Sequence, residues 1–566
     1  MSKRPRIPLI INLGITFIGI WRHLRLRIAS RFPSMISYKT LRQILRQNEH
    51  TEYGKLHHFT EILQASTPDE LFIRYRHAIA PNDYEMLRPF VERQKIGEQD
   101  VLISGSPIMY ATTSGTTGKP KWIPISKHYL RTLYHRMSEH WLYMFIRQRP
   151  RAFGGHILQI VGKEVEGYAP DGTIYGSVSG VLVREIPNIL RKRYTAPPEV
   201  MNIADTKTRN YVIMTLALQW EDLTFWATAN PSTIVELLNT VDENLEQMAD
   251  DIENGKFSVP IELPLIHIIA PYLHSNPARA EQLRQLKQRY ATPAPKDYFP
   301  YLQVLSTWKC GNAKVYMEKF IDRFNWKQTR YTELGYIATE CRFGHPVDES
   351  RESVLFPQYH YYEFVDEKEL DMPNKHFLQL SELERGQRYC VYITTSCGLY
   401  RYNMNDIVEV GGRYINAPRI HFISKVNGIV SLTGEKLYEA QFIRAVHQVA
   451  ELHSLSLPFF VGFANAELSA YDFYFEFAPR DEHEARYLLA LFTREVDSKL
   501  QQINMEYESK RQSQRLKEPR GFLLQQGAYS KFKELCLQDG YRDGQFKFNL
   551  LMQDPYRQGL FDKLVQ

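Results

Sequence analysis

Residues 112–121 read Thr-Thr-Ser-Gly-Thr-Thr-Gly-Lys-Pro-Lys. Four hydroxyls (Thr113, Ser114, Thr116, Thr117) are interleaved with Gly115 and Gly118, and Lys119 and Lys121 follow. Glycines permit tight turns and present backbone N–H groups. Hydroxyls donate to phosphoryl oxygens and ammonium groups neutralise them. The segment therefore has the chemistry of a phosphate cradle. It is not a Walker A loop, because only two residues separate Gly115 from Gly118 and proline follows Lys119. A polar hairpin turn is the bland alternative, disfavoured by so many hydroxyls beside two lysines.

The elements needed to position such a loop are legible around it. A β-prone run, Ile108–Thr112, leads into it, and residues 36–95 and 126–149 read as helical. Strand patterns follow at His156–Gly162 and Leu223–Ala229, with a helix before the second. Asn230-Pro231 starts a further helix, since proline is tolerated in a first turn. Residues 292–300 form a proline-rich connection, and short β-prone runs dominate 301–410. Such alternation predicts an α/β chain with more than one sheet. Beyond the turn-rich segment 424–436, an amphipathic helix (Leu437–Leu452, with Phe442, Val446 and Val449 on one face), two strands and a helix over 482–503 suggest a separate compact α+β domain.

Of 566 residues, 43% are hydrophobic and 24% charged, which fits a globular chain and excludes disorder, collagen and a disulfide scaffold. The net charge of +6 is unevenly placed. Residues 1–50 hold ten basic side chains against the single acid Glu49, a local +9 that leaves the other 516 residues at −3. A nucleic-acid-binding surface is therefore not expected. Five cysteines without a C-x-x-C pair suit a reducing compartment. The apolar run Leu9–Trp21 is short for a membrane span, which needs about 20 residues. The basic RHLRLRIASR that follows argues against a cleaved leader. Two readings stay open for residues 1–31: an interfacial helix on anionic lipid, or a helix packed on the protein's own core with arginines on its wet side. The second is the commoner arrangement and the expected one.

SGTTGKPK resembles the phosphate-loop signature of the acyl-adenylate-forming superfamily. Three further segments resemble its GH3 branch, the acyl acid–amido synthetases. These are Tyr336-Ile337-Ala338-Thr339-Glu340-Cys341-Arg342-Phe343-Gly344, then Tyr362-Glu363-Phe364, then Gly398-Leu399-Tyr400-Arg401-Tyr402 leading to Asp406. The likeness runs in order from about residue 40 to 550. It implies that Ser114, Gly115, Thr116, Thr117 and Gly118 hold phosphates and that Lys121 is a catalytic cation. It further implies that Tyr336 faces adenine, Thr339 bonds the α-phosphate, Glu340 holds Mg²⁺, and Asp406 takes the ribose hydroxyls. Gly544-Gln545-Phe546-Lys547-Phe548 resembles the branch's tail segment, so Lys547 is the expected α-phosphate lysine of adenylation; Lys436 is a weaker phosphate or hinge candidate. Two departures stand out. Asn403 and Asn405 replace an arginine and a glycine of the third motif, although Asn405 can still adopt a left-handed conformation. Trp122 stands where glycine is common.

The implied organisation is an N-terminal helix (1–35), an adenylate-forming domain of mixed sheets and flanking helices (36–424), and a smaller mobile α+β domain (425–566) hinged near Lys425–Gly428. The implied function is ATP- and Mg²⁺-dependent adenylation of a small carboxylic acid, then acyl transfer to an amine, expected to be an amino acid. The expected protein is a cytoplasmic monomer, with candidate peripheral contact to the inner face of a membrane through residues 1–31. A thiol acceptor, or a non-catalytic nucleotide-binding or membrane-tethered module, are the competing readings. The base that accepts the amine proton is not identifiable from sequence.

Overall fold

The structure, a computed structural model, describes residues 8–566 apart from 114–119, 185, 187, 311–312, 371, 434, 436 and 539–548. The chain divides into two compact units. The larger comprises residues 1–113, 120–404 and 409–421, and the smaller 114–119, 405–408 and 422–566.

The strands up to Lys425 form three sheets. The first has the order β2-β1-β5-β4, with β1 (Met109–Thr113), β2 (Lys121–Ile125), β4 (Gly167–Tyr168) and β5 (Ile174–Gly176). β1 and β2 pair antiparallel with Thr113 opposite Lys121, so the glycine- and hydroxyl-rich loop connects adjacent strand ends. The second sheet is wholly parallel, in the order β3 (His156–Gln159), β6 (Leu223–Ala227), β7 (Val304–Thr307) and β8 (Arg330–Glu333). Helices cover it, as a parallel sheet requires. One is Thr206–Leu218; another, Pro231–Asn254, starts where expected, with the Asn230 side chain accepting from Ser232 N–H. Trp226, Leu237, Leu305 and Phe299 share its core.

The third sheet has seven strands in the order β12-β13-β14-β15-β11-β10-β9. These are β9 (Tyr336–Ile337), β10 (Arg342–His345), β11 (Ser353–Leu355), β12 (Tyr361–Asp366), β13 (Arg388–Thr394), β14 (Tyr402–Tyr414) and β15 (Ala417–Lys425).

Two helical details differ from expectation. The single helix predicted over 126–149 opens with a π-helical turn, Tyr129–Tyr134, before the α-helix His135–Gln148. The wider turn puts Tyr129 and Tyr134 edge to face at 5.9 Å. The N-terminal helix α1 (Leu9–Arg31) packs on α2 (His135–Gln148), as a core-packed helix should. Its free side, however, is apolar as well as basic, with Ile10, Leu13, Phe17 and Trp21 exposed.

In the smaller unit, β16 (Ile429–Val430) and β17 (Leu437–Tyr438) form a two-stranded ribbon. A four-stranded sheet follows in the order β20-β19-β18-β21, from β18 (Phe459–Asn465), β19 (Ala470–Glu476), β20 (Arg520–Leu523) and β21 (Leu551–Met552). Alternation along β19 decides its faces. Tyr471, Phe473 and Phe475 pack with Phe442, Val446 and Val449 of α3 (Glu439–Leu452) and Phe492 of α4 (Glu482–Ile503). Tyr474 turns the other way, toward Phe463, Phe532 and Phe561.

Candidate active site

Of the cradle, Ser114, Gly115, Thr116, Thr117 and Gly118 lie outside the described residues, and so do Lys119, Lys436 and Lys547. The frame of the loop is described. Lys121 stands at the first position of β2, half-buried, and its Nζ donates to the Tyr402 hydroxyl at 3.2 Å. The ammonium lies over the rings of Tyr84 and Tyr402, at 6.0 and 5.8 Å. Beside it Trp122 is fixed by Tyr84, whose hydroxyl accepts from Trp122 N–H at 2.6 Å, and by the Tyr175 ring at 4.5 Å. Trp122 thus replaces a small residue by filling space between β2 and its neighbours.

The Gly398–Tyr402 segment divides into structural and site residues. Gly398 has φ +80°, and a Cβ there would come within 2.6 Å of the Leu102 side chain, so glycine is required. Tyr400 is stacked on Tyr53 at 4.7 Å and donates to the Leu102 carbonyl. Arg401 is buried and donates through Nε to Glu363 at 2.9 Å; Arg76 holds the other Glu363 oxygen at 2.8 Å. Two of the motifs singled out in the sequence, Tyr362-Glu363-Phe364 and Gly398–Tyr402, are therefore joined by a buried ion pair. Of this segment, Tyr402 reaches Lys121.

The Tyr336–Gly344 motif is a hairpin. Ala338 N–H donates to the Cys341 carbonyl at 3.0 Å, closing the turn that carries Thr339 and Glu340 at a partly exposed tip between β9 and β10. Tyr336 lies flat on Phe343, with ring centroids 4.0 Å apart and planes 15° from parallel. One face of the tyrosine is thus covered by Phe343.

Asp406 lies four residues beyond Tyr402 on β14 and is nearly fully buried. Its carboxylate is ion-paired with Lys425 within the smaller unit. Asn405 before it has φ +52°, the left-handed conformation expected of an asparagine in glycine's place.

Sequence reasoning missed Glu333 and Lys309. Glu333 ends β8, at the carboxyl ends of the parallel strands, where open α/β sheets bind ligands. It accepts from Lys309 N–H at 2.7 Å and Gly335 N–H at 3.0 Å, and burial pushes its carboxyl up to about 7. Burial likewise lowers Lys309 to about 8, with Nζ above the Tyr331 ring at 4.3 Å. Both groups exchange protons near neutrality, as acid–base chemistry requires. The only sequence signal was position, three residues ahead of Tyr336. Among the described residues no cluster of three metal-ligating side chains occurs.

The GH3 family N-terminal domain is matched over residues 25–328, the central domain over 353–425 and the C-terminal domain over 440–556. The chain belongs to the GH3 family. Its relatives include the indole-3-acetic acid-amido synthetase GH3.10 of Arabidopsis thaliana, 26% identical over 455 residues that cover 74% of this chain and 76% of that protein. The jasmonoyl-L-amino acid synthetase JAR6 of Nicotiana attenuata is 24% identical, covering 74% of this chain and 73% of that one. Among solved structures, the AtGH3.15 acyl acid amido synthetase in complex with 2,4-DB superposes with a TM-score of 0.80 at 19% identity, covering 96% of each chain. A 2-hydroxyisobutyryl-CoA ligase in the postadenylation state gives 0.53 at 10%, covering 93% and 91%. The adenylate-forming fold expected from the motifs is thus the fold of this GH3 chain, mixed sheets with a separate smaller C-terminal unit.

Proposed function

We propose that this GH3 protein is an ATP-dependent acyl acid–amido synthetase: it adenylates a small carboxylic acid and passes the acyl group to the amine of an amino acid. The observation that carries the reading is the pairing of Lys121, at the foot of the phosphate loop, with Tyr402 of the GH3 motif. That contact supports the reading because it fixes a cation just after the loop read as triphosphate-binding.

In the first step a carboxylate oxygen attacks the α-phosphorus and the bond to pyrophosphate breaks. Lys121 stabilises the extra negative charge, held in direction by Tyr402 and the neighbouring rings. A positioned cation acts strongly here because its partner is prepaid by the fold. Glu340 at the hairpin tip would hold Mg²⁺, whose part is to neutralise phosphate charge. Thr339 would donate to the α-phosphate, Tyr336 would stack on adenine, and Asp406 would accept from the ribose hydroxyls. In the second step the amine nitrogen attacks the acyl carbon, the C–O bond to AMP breaks, and the nitrogen loses a proton. Binding both reactants on one protein supplies the entropic advantage. Lys547 belongs to the first step, and rotation of the C-terminal domain at Lys425–Gly428 would separate the two. Five cysteines, none of them in a disulfide, suit the reducing, ATP-rich cytoplasm.

Pyrophosphate exchange into ATP, measured over a panel of carboxylic acids, tests this reading. Acid-dependent exchange supports it. ATP binding with no exchange under any acid would favour a non-catalytic nucleotide-binding module.

A further inference from the structure

Helix α1 has two different long faces. Its inner face is fastened along its whole length to the larger unit. Asn12 Nδ2 donates to the Pro150 carbonyl at 2.7 Å, Gly19 lies against Tyr143, and Arg22 pairs with Glu139 at 2.7 Å. His23 bonds His140 at 3.1 Å, and Asn416 donates through its N–H and side chain to the Ser30 and Arg31 carbonyls at 3.0 and 2.8 Å. The outer face is a stripe at helical spacing: Ile10, Leu13, Phe17, Trp21, Leu24 and Ile28. Phe17 is 82% exposed, Ile10 76% and Leu13 67%, where a helix on a water-facing surface carries polar groups. At 1.5 Å per residue the stripe runs for about 27 Å.

Its charge indicates what covers it. Arg25 and Arg27 flank the stripe on its two sides, Arg31 ends it, and Lys3, Arg4 and Arg6 precede it in the sequence. No acid occurs before Glu49. Such a face repels a copy of itself, since a two-fold contact would bring arginines together. It complements an apolar layer topped by anionic headgroups, where the arginine stems lie along lipid and their guanidinium groups reach phosphate. The helix is long and apolar enough to cross a bilayer by composition. Its fastening to α2 and β14–β15 instead keeps it parallel to the protein surface.

We propose that α1 is an in-plane membrane-docking helix, with Ile10, Leu13, Phe17, Trp21, Leu24 and Ile28 entering one leaflet and Arg25, Arg27 and Arg31 contacting anionic lipid. Recruitment to a bilayer would bring a soluble active site to acids that partition into lipid. The full-length protein is floated with phosphatidylcholine vesicles, with and without phosphatidylglycerol. The wild type co-floats with the anionic vesicles, and less as salt rises. Phe17→Glu lowers the partition coefficient by at least about tenfold, and Arg25→Gln with Arg27→Gln lowers it by about thirtyfold. Both variants keep wild-type circular dichroism and pyrophosphate exchange. Brominated lipid quenches tryptophan fluorescence in the wild type and much less in Trp21→Phe. Absence of flotation with anionic vesicles overturns the proposal, as does equal flotation of Phe17→Glu. A dimer in light scattering that Phe17→Glu dissociates, without vesicle binding, would show that a second copy covers the face instead.

Discussion

Lys121 Nζ donates to the Tyr402 hydroxyl at 3.2 Å, joining the residue that follows the phosphate loop to the last residue of the Gly398–Tyr402 motif. The two are 281 positions apart. The contact holds the half-buried lysine at the start of β2 in one direction. Replacing Lys121 with alanine should lower pyrophosphate exchange by about 10²–10³-fold with circular dichroism unchanged. Tyr402→Phe, which removes one hydrogen bond, should cost only several-fold.

Arg401 is assigned to stability. Its guanidinium and the Glu363 carboxylate are both almost fully buried. Arg401→Ala would leave one oxygen of the buried Glu363 carboxylate without its arginine and should cost up to about 3–5 kcal/mol in denaturant unfolding. A loss within experimental error of zero would mean that Arg76 alone satisfies Glu363.

Asp406 is already an ion-pair acceptor, from Lys425, before any ribose is considered. Asp406→Asn keeps the shape and removes the charge. Hydrogen bonds to charged groups contribute about 1.5–3 kcal/mol, so the KM for ATP should rise by about tenfold or more with the KM for acid unchanged. An unchanged KM for ATP would remove Asp406 from the nucleotide site.

Four histidines predict acid lability. Burial, with Arg147 and Arg27 nearby, lowers His23 to about 4; burial lowers His140 and His360 to about 3 and His345 well below its ordinary value. The folded state keeps them neutral, whereas the unfolded chain takes up protons below about pH 6.5. Stability therefore holds above pH 6.5 and falls as pH drops toward 4 and 3, by up to about 1.4 kcal/mol per pH unit for each fully buried group. Partly exposed His23 contributes less. Thermal melts across this window should show the slope, and His140→Asn should flatten it.

Local features were legible in the sequence because short-range chemistry decides them. The loop between β1 and β2, the Asn230-Pro231 helix start, the left-handed Asn405 and the β18–β19 pair belong to this class. Long-range partnerships were not. Nothing in the spacing of Glu363 and Arg401, or of Lys121 and Tyr402, discloses that the fold brings each pair together. The same holds for α1: its amphipathic pattern mixes arginine with leucine and isoleucine all round, and only packing on α2 reveals which apolar residues stay outside. Glu333 escaped notice because a lone carboxylate acquires its raised pKa from burial, which no local motif reports.

The product identifies the reaction. The purified protein is incubated with ATP and matched panels of carboxylic acids and amino acids, and the mixture is read by mass spectrometry alongside nucleotide analysis. An amide in equal amount with AMP is expected for at least one pair, with no amide formed when acid or amine is omitted. Formation of ADP, or of a thioester with a supplied thiol and no amide with any amine, would contradict it.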